Sequence, residues 1–418
     1  MKYIIGLLIL GYIAFVTAGV KTGHPLPDVV RMSGRGVKRA APLIVILLLI
    51  GMMTGLWRDC GTIVTFVYYG VQFIRPRLFL LVTFLLTCLL SYALGTSFGV
   101  AGTAGVIFMV LARSGGVDPV ITAGVILSGI YFGDRTSPAS STALTVATIT
   151  ETDLYTNVRN MLRTGLIPWL LCLAVYGYLS VRHPIHQIDA SVLDAFTQHF
   201  SISLWCFVPA VFLLIMPLLR VPIQWTLAAG ILSAALVGIF AEGHSVLSVV
   251  LSSLRGYIPE AESLRTILSG GGMSSMATTV IIITIACSYT GIMDGTGWIV
   301  PIQNRVDRLA DRIGLFPSML LITLCSAAIF CNQIIGIMMC NDLLTKSYME
   351  RGRSKEELAI DIENCAITLP ALVPWCILIA VPLAILDVGH AAVLYGIYIY
   401  ALPLITLFSK GLQRKEKV

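Results

Sequence analysis

Two carboxylates sit where a hydrophobic chain can least tolerate them, each beside a break in an apolar stretch. Asp134 lies in Phe132–Thr148 (FGDRTSPASSTALTVAT), next to Arg135 and shortly before Pro138. Proline removes a backbone donor and interrupts a helix. Ser137, Ser140 and Thr142 crowd around the interruption with hydroxyl oxygens. Freed carbonyls, hydroxyls and a carboxylate make an oxygen site for Na⁺, and a proton can replace the cation at the carboxylate. Glu363 lies in Ile360–Trp375 (IDIENCAITLPALVPW), followed by Asn364 and Thr368, with Pro370 and Pro374 breaking the run. An ionisable side chain in such a run reads as a proton carrier or a cation ligand. The competing reading makes Asp134 and Arg135 a structural pair at a helix end.

Two further polar interruptions lack a carboxylate at their centre. Gly95–Gly105 (GTSFGVAGTAG) places Thr96 and Ser97 between two apolar arms, each short for a full span. Glycines there permit tight turns and close helix contact, and the whole reads as a re-entrant hairpin whose tip reaches the midplane. Ile329–Asp342 (IFCNQIIGIMMCND) does the same with Asn332 and Gln333. Adjacent carboxamides in an apolar stretch are costly unless bonded, and they can both donate to and accept from a bound solute. Helix–helix adhesion is the plainer alternative for both stretches.

The elements that must position these residues are laid out twice. Ser33, Gly34, Gly36, Thr54 and Gly55 recur as Ser269, Gly270, Gly272, Thr290 and Gly291, an offset of 236 residues. The same offset sets Thr96 and Ser97 against Asn332 and Gln333, and Pro138 against Pro374. Paired broken helices in two halves of one hydrophobic chain are the layout of a secondary transporter, in which the breaks meet near the midplane. The expectation is an all-α polytopic membrane protein of two inverted-topology repeats, each with a re-entrant hairpin and a broken helix. Residues 1–418 form one domain, with repeat one at about 1–180, a polar linker at 181–200 and repeat two at about 201–418.

Composition supports that class. Hydrophobic residues are 57% and charged residues 12% of the chain, too few charges to clothe a water-soluble surface of this size. At ~20 residues per span there is room for about ten embedded segments. Residues 3–19 read as the first of them and not as a signal peptide, because Lys21, Arg31, Arg35, Lys38 and Arg39 follow. Residues 61–74 are ambiguous between a span and an interfacial segment. The stretch 242–268 reads as an external loop or interfacial helix, and the tail from Lys410 to Val418 as short, basic and disordered. Lys410, Arg414, Lys415 and Lys417 place the C-terminus in the cytoplasm. The net charge of +6 belongs to loops between spans and points to no nucleic acid. The ten cysteines are scattered without a CxxC pair and read as core residues. No HExxH or GxSxG pattern is present, so an enzyme is not expected.

The stretches GTSFGVAGTAG, YFGDRTSPASS, GGGMSSM, SYTGIMDGTG and DIENCAITLPALVPW, in this order along nearly the whole chain, resemble the signature segments of the NhaC-type Na⁺/H⁺ antiporter family. That resemblance implies a prokaryotic inner-membrane carrier of the ion-transporter superfamily, working by alternating access through an elevator-like motion. It implies Na⁺ or H⁺ as coupling ion, no cofactor, and the lipid bilayer and a small ion or organic solute as partners, with a homodimer allowed. Asp134 and Glu363 are then the coupling carboxylates. Thr96, Ser97, Ser137, Ser140, Thr142, Asn332, Gln333, Asn364 and Thr368 are the binding positions, around breaks at Pro138, Pro370 and Pro374. The chain also departs from the family pattern. Ser141, Thr142, Ala143 and Leu144 stand where Asp-Thr-Thr-Asn is expected, Asn364 where an Asp is expected, and Asn332 where relatives carry an Asp. Since relatives of the family also move organic acids and amino acids, the alternative is a Na⁺- or H⁺-coupled carrier of such a solute.

Overall fold

Helix ends in this protein fall where the sequence carries caps and breakers. The computed structural model describes residues 2–73, 76–185, 190–219, 221–296 and 310–415. The first half contributes α1 (Lys2–Lys21), α2 (Leu26–Asp59), α3 (Thr62–Phe73), α4 (Phe79–Leu94), α5 (Ser97–Ser114), α6 (Pro119–Thr136), α7 (Ser141–Thr150) and α8 (Leu154–Arg182). Then come α9 (Ala190–His199), α10 (Val208–Leu218), α11 (Ile223–Phe240), α12 (Val246–Arg255) and α13 (Glu262–Leu268). The second half continues with α14 (Ala277–Thr296), α15 (Leu315–Phe330), α16 (Gln333–Glu350), α17 (Lys355–Cys365), α18 (Ile377–Ile385) and α19 (Ile397–Lys415). Among the described residues, extended pairing is confined to one bridge between Tyr257 and Gly270.

The 236-residue offset recurs in the backbone. Phe79–Leu94 of α4 maps onto Leu315–Phe330 of α15, and Ser97–Ser114 of α5 onto Gln333–Glu350 of α16. Both first arms end on a left-handed residue, Gly95 (φ 65°) and Cys331 (φ 56°). Both second arms start from an extended N-cap, Thr96 (φ −147°) and Asn332 (φ −134°), whose side chains accept from Gly99 N and Ile334 N. Left-handed residues recur again at Gly116 and Gly352, and at Glu151 and Asp387. α6 begins on the Asp118 cap with Pro119 in its first turn and stops at extended Ser137, as the residue before a proline must. Its counterpart α17 begins on the Ser354 cap and frays through a 3₁₀ turn at Leu369–Leu372. The chain then bends by 58° into α18.

Two packed groups result. In one, α2 lies along α14 and is flanked by α1, α11 and α12. In the other, α4 packs on α6, α15 on α16, α17 on α7 and α8, and α19 on α6 and α8. The α2–α14 seam is made of glycine. A Cβ on Gly36 would lie 2.1 Å from the Cys287 carbonyl oxygen and 2.9 Å from Gly291 Cα, and one on Gly55 would lie 2.8 Å from Gly272 N. Since 36 and 55 map onto 272 and 291, the contacts Gly36–Gly291 and Gly55–Gly272 are images of each other. Their order is reversed along the second helix, so the two helices run antiparallel.

Four of the described helical stretches, or five counting the bent pair, are long and apolar enough to cross a membrane; seven more are shorter apolar helices. That is a membrane protein, in which only some of the apolar segments are full-length spans. Breaks, caps and flanking charges cut the helices short. The described residues of α3 number 12, about 18 Å of helix. The two helices expected to form the first hairpin are longer than short arms, at 16 and 18 residues, about 24 and 27 Å, and each is long and apolar enough to span. The polar linker expected at 181–200 is partly helical. α8 runs on to Arg182 and α9 occupies Ala190–His199, with Phe196 buried, because that segment carries apolar residues on one face; His186 and Asp189 lie outside the described residues. The tail also differs. α19 continues to Lys415, held by Lys410 pairing with buried Asp361, and only 416–418 fall outside the described residues. Residues 246–255 are helical, one of the two readings expected there. All ten cysteines are unpaired, nine of them buried, with Cys325 exposed.

Candidate functional site

The site begins with the contact between the turn that joins α4 to α5 and the first helix break. Gly95 needs its positive φ to turn the chain, and it also needs to be small. A Cβ there would lie 2.5 Å from the Ala139 carbonyl carbon. This approach carries Ser97 onto Asp134. Ser97 Oγ donates to Asp134 Oδ2 at 3.1 Å and Ser140 Oγ to Asp134 Oδ1 at 3.1 Å. Thr142 Oγ1 lies 2.7 Å from Ser140 Oγ. Ser140 also caps α7, accepting from Thr142 N and Ala143 N, while Ser137 Oγ accepts from Ala139 N across Pro138. Asp134, Ser97, Ser137, Ser140 and Thr142 are all buried. The arrangement is a carboxylate inside a cage of hydroxyls, each of which can turn a lone pair toward a cation.

Arg135 points away from Asp134. Its donors go to the Glu363 carbonyl oxygen (3.2 Å), the Met161 carbonyl oxygen (2.9 Å), Tyr398 Oη (3.2 Å), Thr164 Oγ1 (3.0 Å) and the Asn364 amide oxygen. The structural-pair reading of Asp134 with Arg135 is therefore not what the side chains do. Adjacent residues on a helix project about 100° apart, and here each finds its own partners. Arg135 instead ties the first break to α8, α17 and α19. Sequence reasoning left it out of the site, although a lone arginine in an apolar run was the available signal.

Around the second break, Glu363 is fully buried and neither carboxylate oxygen has a hydrogen-bond partner. Thr368 is equally buried with its hydroxyl unpartnered. Asn364 is engaged by Arg135 and by Thr164 Oγ1 at 3.2 Å. Gln333 Nε2 donates to the Ile367 carbonyl oxygen at 2.9 Å, so the second hairpin tip caps the frayed end of α17. Asn332 uses its side chain on its own helix start. Ile377 N donates to Cys331 O, and Trp375 Nε1 to Ala328 O, fastening the Pro370–Pro374 break to the hairpin. The structure thus joins Ser97, Asp134, Ser140 and Thr142 directly, and joins Asn364 and Glu363 to them through Arg135. A pocket of about 20 Å³ lies between Ile50 and Met53 of α2 and Thr96, Phe98, Gly99 and Thr103 of the hairpin. It is water-sized. Ser140, Asn332, Gln333, Thr368 and Pro374 are not among its walls.

A second titratable cluster stands at the end of α2. Buried Asp59 accepts from Ser252 Oγ at 3.1 Å and lies 3.4 Å from His244 Nδ1, at the long end of ion-pair contact. The Asp59 carboxylate raises the His244 pKa above its ordinary value. Glu242, half-buried nearby, is raised by loss of water and accepts from Ser201 N.

Comparison with known proteins bears on this geometry. Residues 129–412, which contain both breaks and the second hairpin, match the model of the Na⁺/H⁺ antiporter family. The chain is similar to a malate-2H⁺/Na⁺-lactate antiporter of Bacillus subtilis, 24% identical over 85% of this chain and 78% of that one. It is similar to the Na⁺/H⁺ antiporter NhaC of Alkalihalophilus pseudofirmus, 26% identical over 81% and 75%. It is also similar to the arginine/ornithine antiporter ArcD of Halobacterium salinarum, 29% identical over 65% and 58%.

Proposed function

Because the chain belongs to the Na⁺/H⁺ antiporter family of secondary active antiporters, we propose that it exchanges Na⁺ for H⁺, with Asp134 and Glu363 carrying the exchanged charge. The observation that carries this reading is the hydroxyl cage on Asp134, built by a hairpin tip and a helix break, beside a second buried carboxyl with no partner. One negative charge cannot hold a cation and a proton at once, so occupancy by either excludes the other, and that exclusion is antiport. Ser97, Ser140 and Thr142 supply cation ligands with Asp134. Thr96, Ser137, Asn332, Gln333, Asn364 and Thr368 shape the two breaks at Pro138, Pro370 and Pro374.

An inverted pair of repeats is supported by the mirrored Gly36–Gly291 and Gly55–Gly272 contacts. A two-fold axis relating two antiparallel spans lies across them, which for membrane helices is the membrane plane. An elevator-like motion is supported by the division into an α2–α14 group and a hairpin-bearing group, with the water-sized pocket at their boundary. The protein works in the prokaryotic plasma membrane, with the C-terminus cytoplasmic and without a cofactor.

A second reading has the names of two relatives behind it. Antiporters of malate and lactate, and of arginine and ornithine, are similar to this chain, so a coupled carrier of a small organic acid or amino acid is the alternative. The test is reconstitution in proteoliposomes with a pH-sensitive dye inside and Na⁺, K⁺, Li⁺, malate, lactate or arginine added outside. Dye response to Na⁺ supports exchange of ions. A response to an organic solute alone overturns it in favour of the second reading.

A further inference from the structure

Arg135 has no exposed surface and brings a guanidinium into the interior. Its five N–H donors meet neutral oxygens on three other helices: α17 through the Glu363 carbonyl and Asn364, α8 through Met161 and Thr164, and α19 through Tyr398. The fork is fully hydrogen-bonded, yet none of these acceptors carries a compensating charge. Two carboxyls share its surroundings. Asp134 precedes it in the chain, and Glu363 offers Arg135 its carbonyl while its own carboxyl stays unpartnered. From α6, Arg135 bonds the Glu363 carbonyl, and Asp134 adjoins Arg135 in the chain. Around them α19 contributes Tyr398, and Lys410, which is taken up by Asp361 with Tyr348 of α16; α8 contributes the uncharged Met161 and Thr164. In a low-dielectric interior, uncompensated charge is expensive. One fixed cation and two carboxylates lack a single positive charge, not two.

We propose that Arg135 is the site's resident cation. It permanently balances one of the two carboxylates, so a single monovalent charge, one proton or one cation, is exchanged at the site. Glu363 is the exchanging group and Arg135 a positioning residue. This deepens the cation/proton reading above and rests on it. In each exchange an O–H bond of Glu363 breaks, the proton leaves to water, and the cation takes its place, so the net charge of the cluster is unchanged.

The experiment compares wild type with Arg135→Gln, Arg135→Lys and Asn364→Asp in proteoliposomes, following Na⁺-driven proton movement against pH after confirming fold by thermal unfolding. Arg135→Gln removes the charge. Asn364→Asp keeps the guanidinium but sets a carboxylate against its Nη2 with almost no change of shape, so it remains informative if the Gln variant does not fold. Arg135→Lys keeps the charge and loses the fork. Both neutralising variants are expected to raise the pH of half-maximal exchange by at least about one unit, because a carboxylate without its counter-charge holds its proton more tightly. Their dependence on pH should also steepen from one proton toward two. Arg135→Lys should keep the wild-type midpoint and slope at a lower rate. Unmoved midpoints in the Gln and Asp variants, or a Lys variant shifted as far as Gln, overturn the inference and leave Arg135 a structural brace. Wild-type vesicles without Na⁺-driven proton movement overturn the exchange reading, and this inference with it.

Discussion

At the scale of residues, the two carboxyls differ in what surrounds them, and that difference sets separate expectations. Asp134 is held by Ser97 and Ser140, so removing either hydroxyl takes away one bond to the carboxyl and, under the proposed exchange, one cation ligand. Ser97→Ala and Ser140→Ala should each raise the KM for Na⁺ about tenfold, with the fold retained, from the usual worth of such a bond. Arg135 has other partners, so Asp134→Asn should cost transport and leave thermal stability within about 1 kcal/mol. Glu363→Gln should abolish the pH dependence of transport while the protein stays folded. Wild-type pH dependence in that variant would refute its role. His244 offers a test of pH-dependent stability. Its pKa is raised in the folded protein by Asp59, so its contribution is fully present below the unfolded value of about 6.5 and disappears as pH rises through the folded value. His244→Gln should therefore lower the unfolding temperature at pH 6 and leave it unchanged well above the folded pKa. Equal losses at both pH values would show that His244 acts through packing alone. The carboxyls, hydroxyls and carboxamides were legible because polar groups in apolar runs are rare. The partners of Arg135 were not, since they come from residues 161, 164, 363, 364 and 398.

At the scale of elements, caps and breakers in the sequence account for most helix ends. Asp118–Pro119 opens α6, Ser137–Pro138 closes it, and Ser354 opens α17. Lengths were harder to read. Nothing local says that Lys410 finds buried Asp361 and so draws the tail into a helix. The α2–α14 seam makes a sharp stability prediction. Gly36→Ala puts a methyl 2.1 Å from the Cys287 carbonyl oxygen, and should destabilise by about 2 kcal/mol or more, as overpacking does. Gly34 is two residues away with open space around its Cβ position, so Gly34→Ala should be neutral or slightly stabilising. Similar unfolding temperatures for the two variants would mean that α2 and α14 do not meet there.

At the scale of the whole molecule, the proposed inversion of the halves predicts which side each segment faces. Glu151 and Asp387 occupy the same left-handed position 236 residues apart, at the ends of α7 and α18. Each pairs with a basic residue from the other half, Glu151 with Lys355 (2.5 Å) and Asp387 with Arg113 (3.3 Å). Glu151→Cys and Asp387→Cys, in a background with exposed Cys325 replaced by Ser, should react with an impermeant thiol reagent from opposite sides of oriented vesicles. Labelling from one side for both would require halves of the same orientation.

The sequence alone determined the membrane class, the internal offset, the four polar interruptions and their family, because each depends on composition or on neighbours along the chain. It could not determine how those interruptions meet. The contact of Ser97 with Asp134 spans 37 residues, that of Arg135 with Glu363 spans 228, and the glycine seam joins the two halves. Such contacts depend on how closely backbones approach, and that is decided by the small residues at each crossing acting together. Tertiary structure therefore decided which carboxyl is caged, which is bare, and which oxygens take the donors of Arg135.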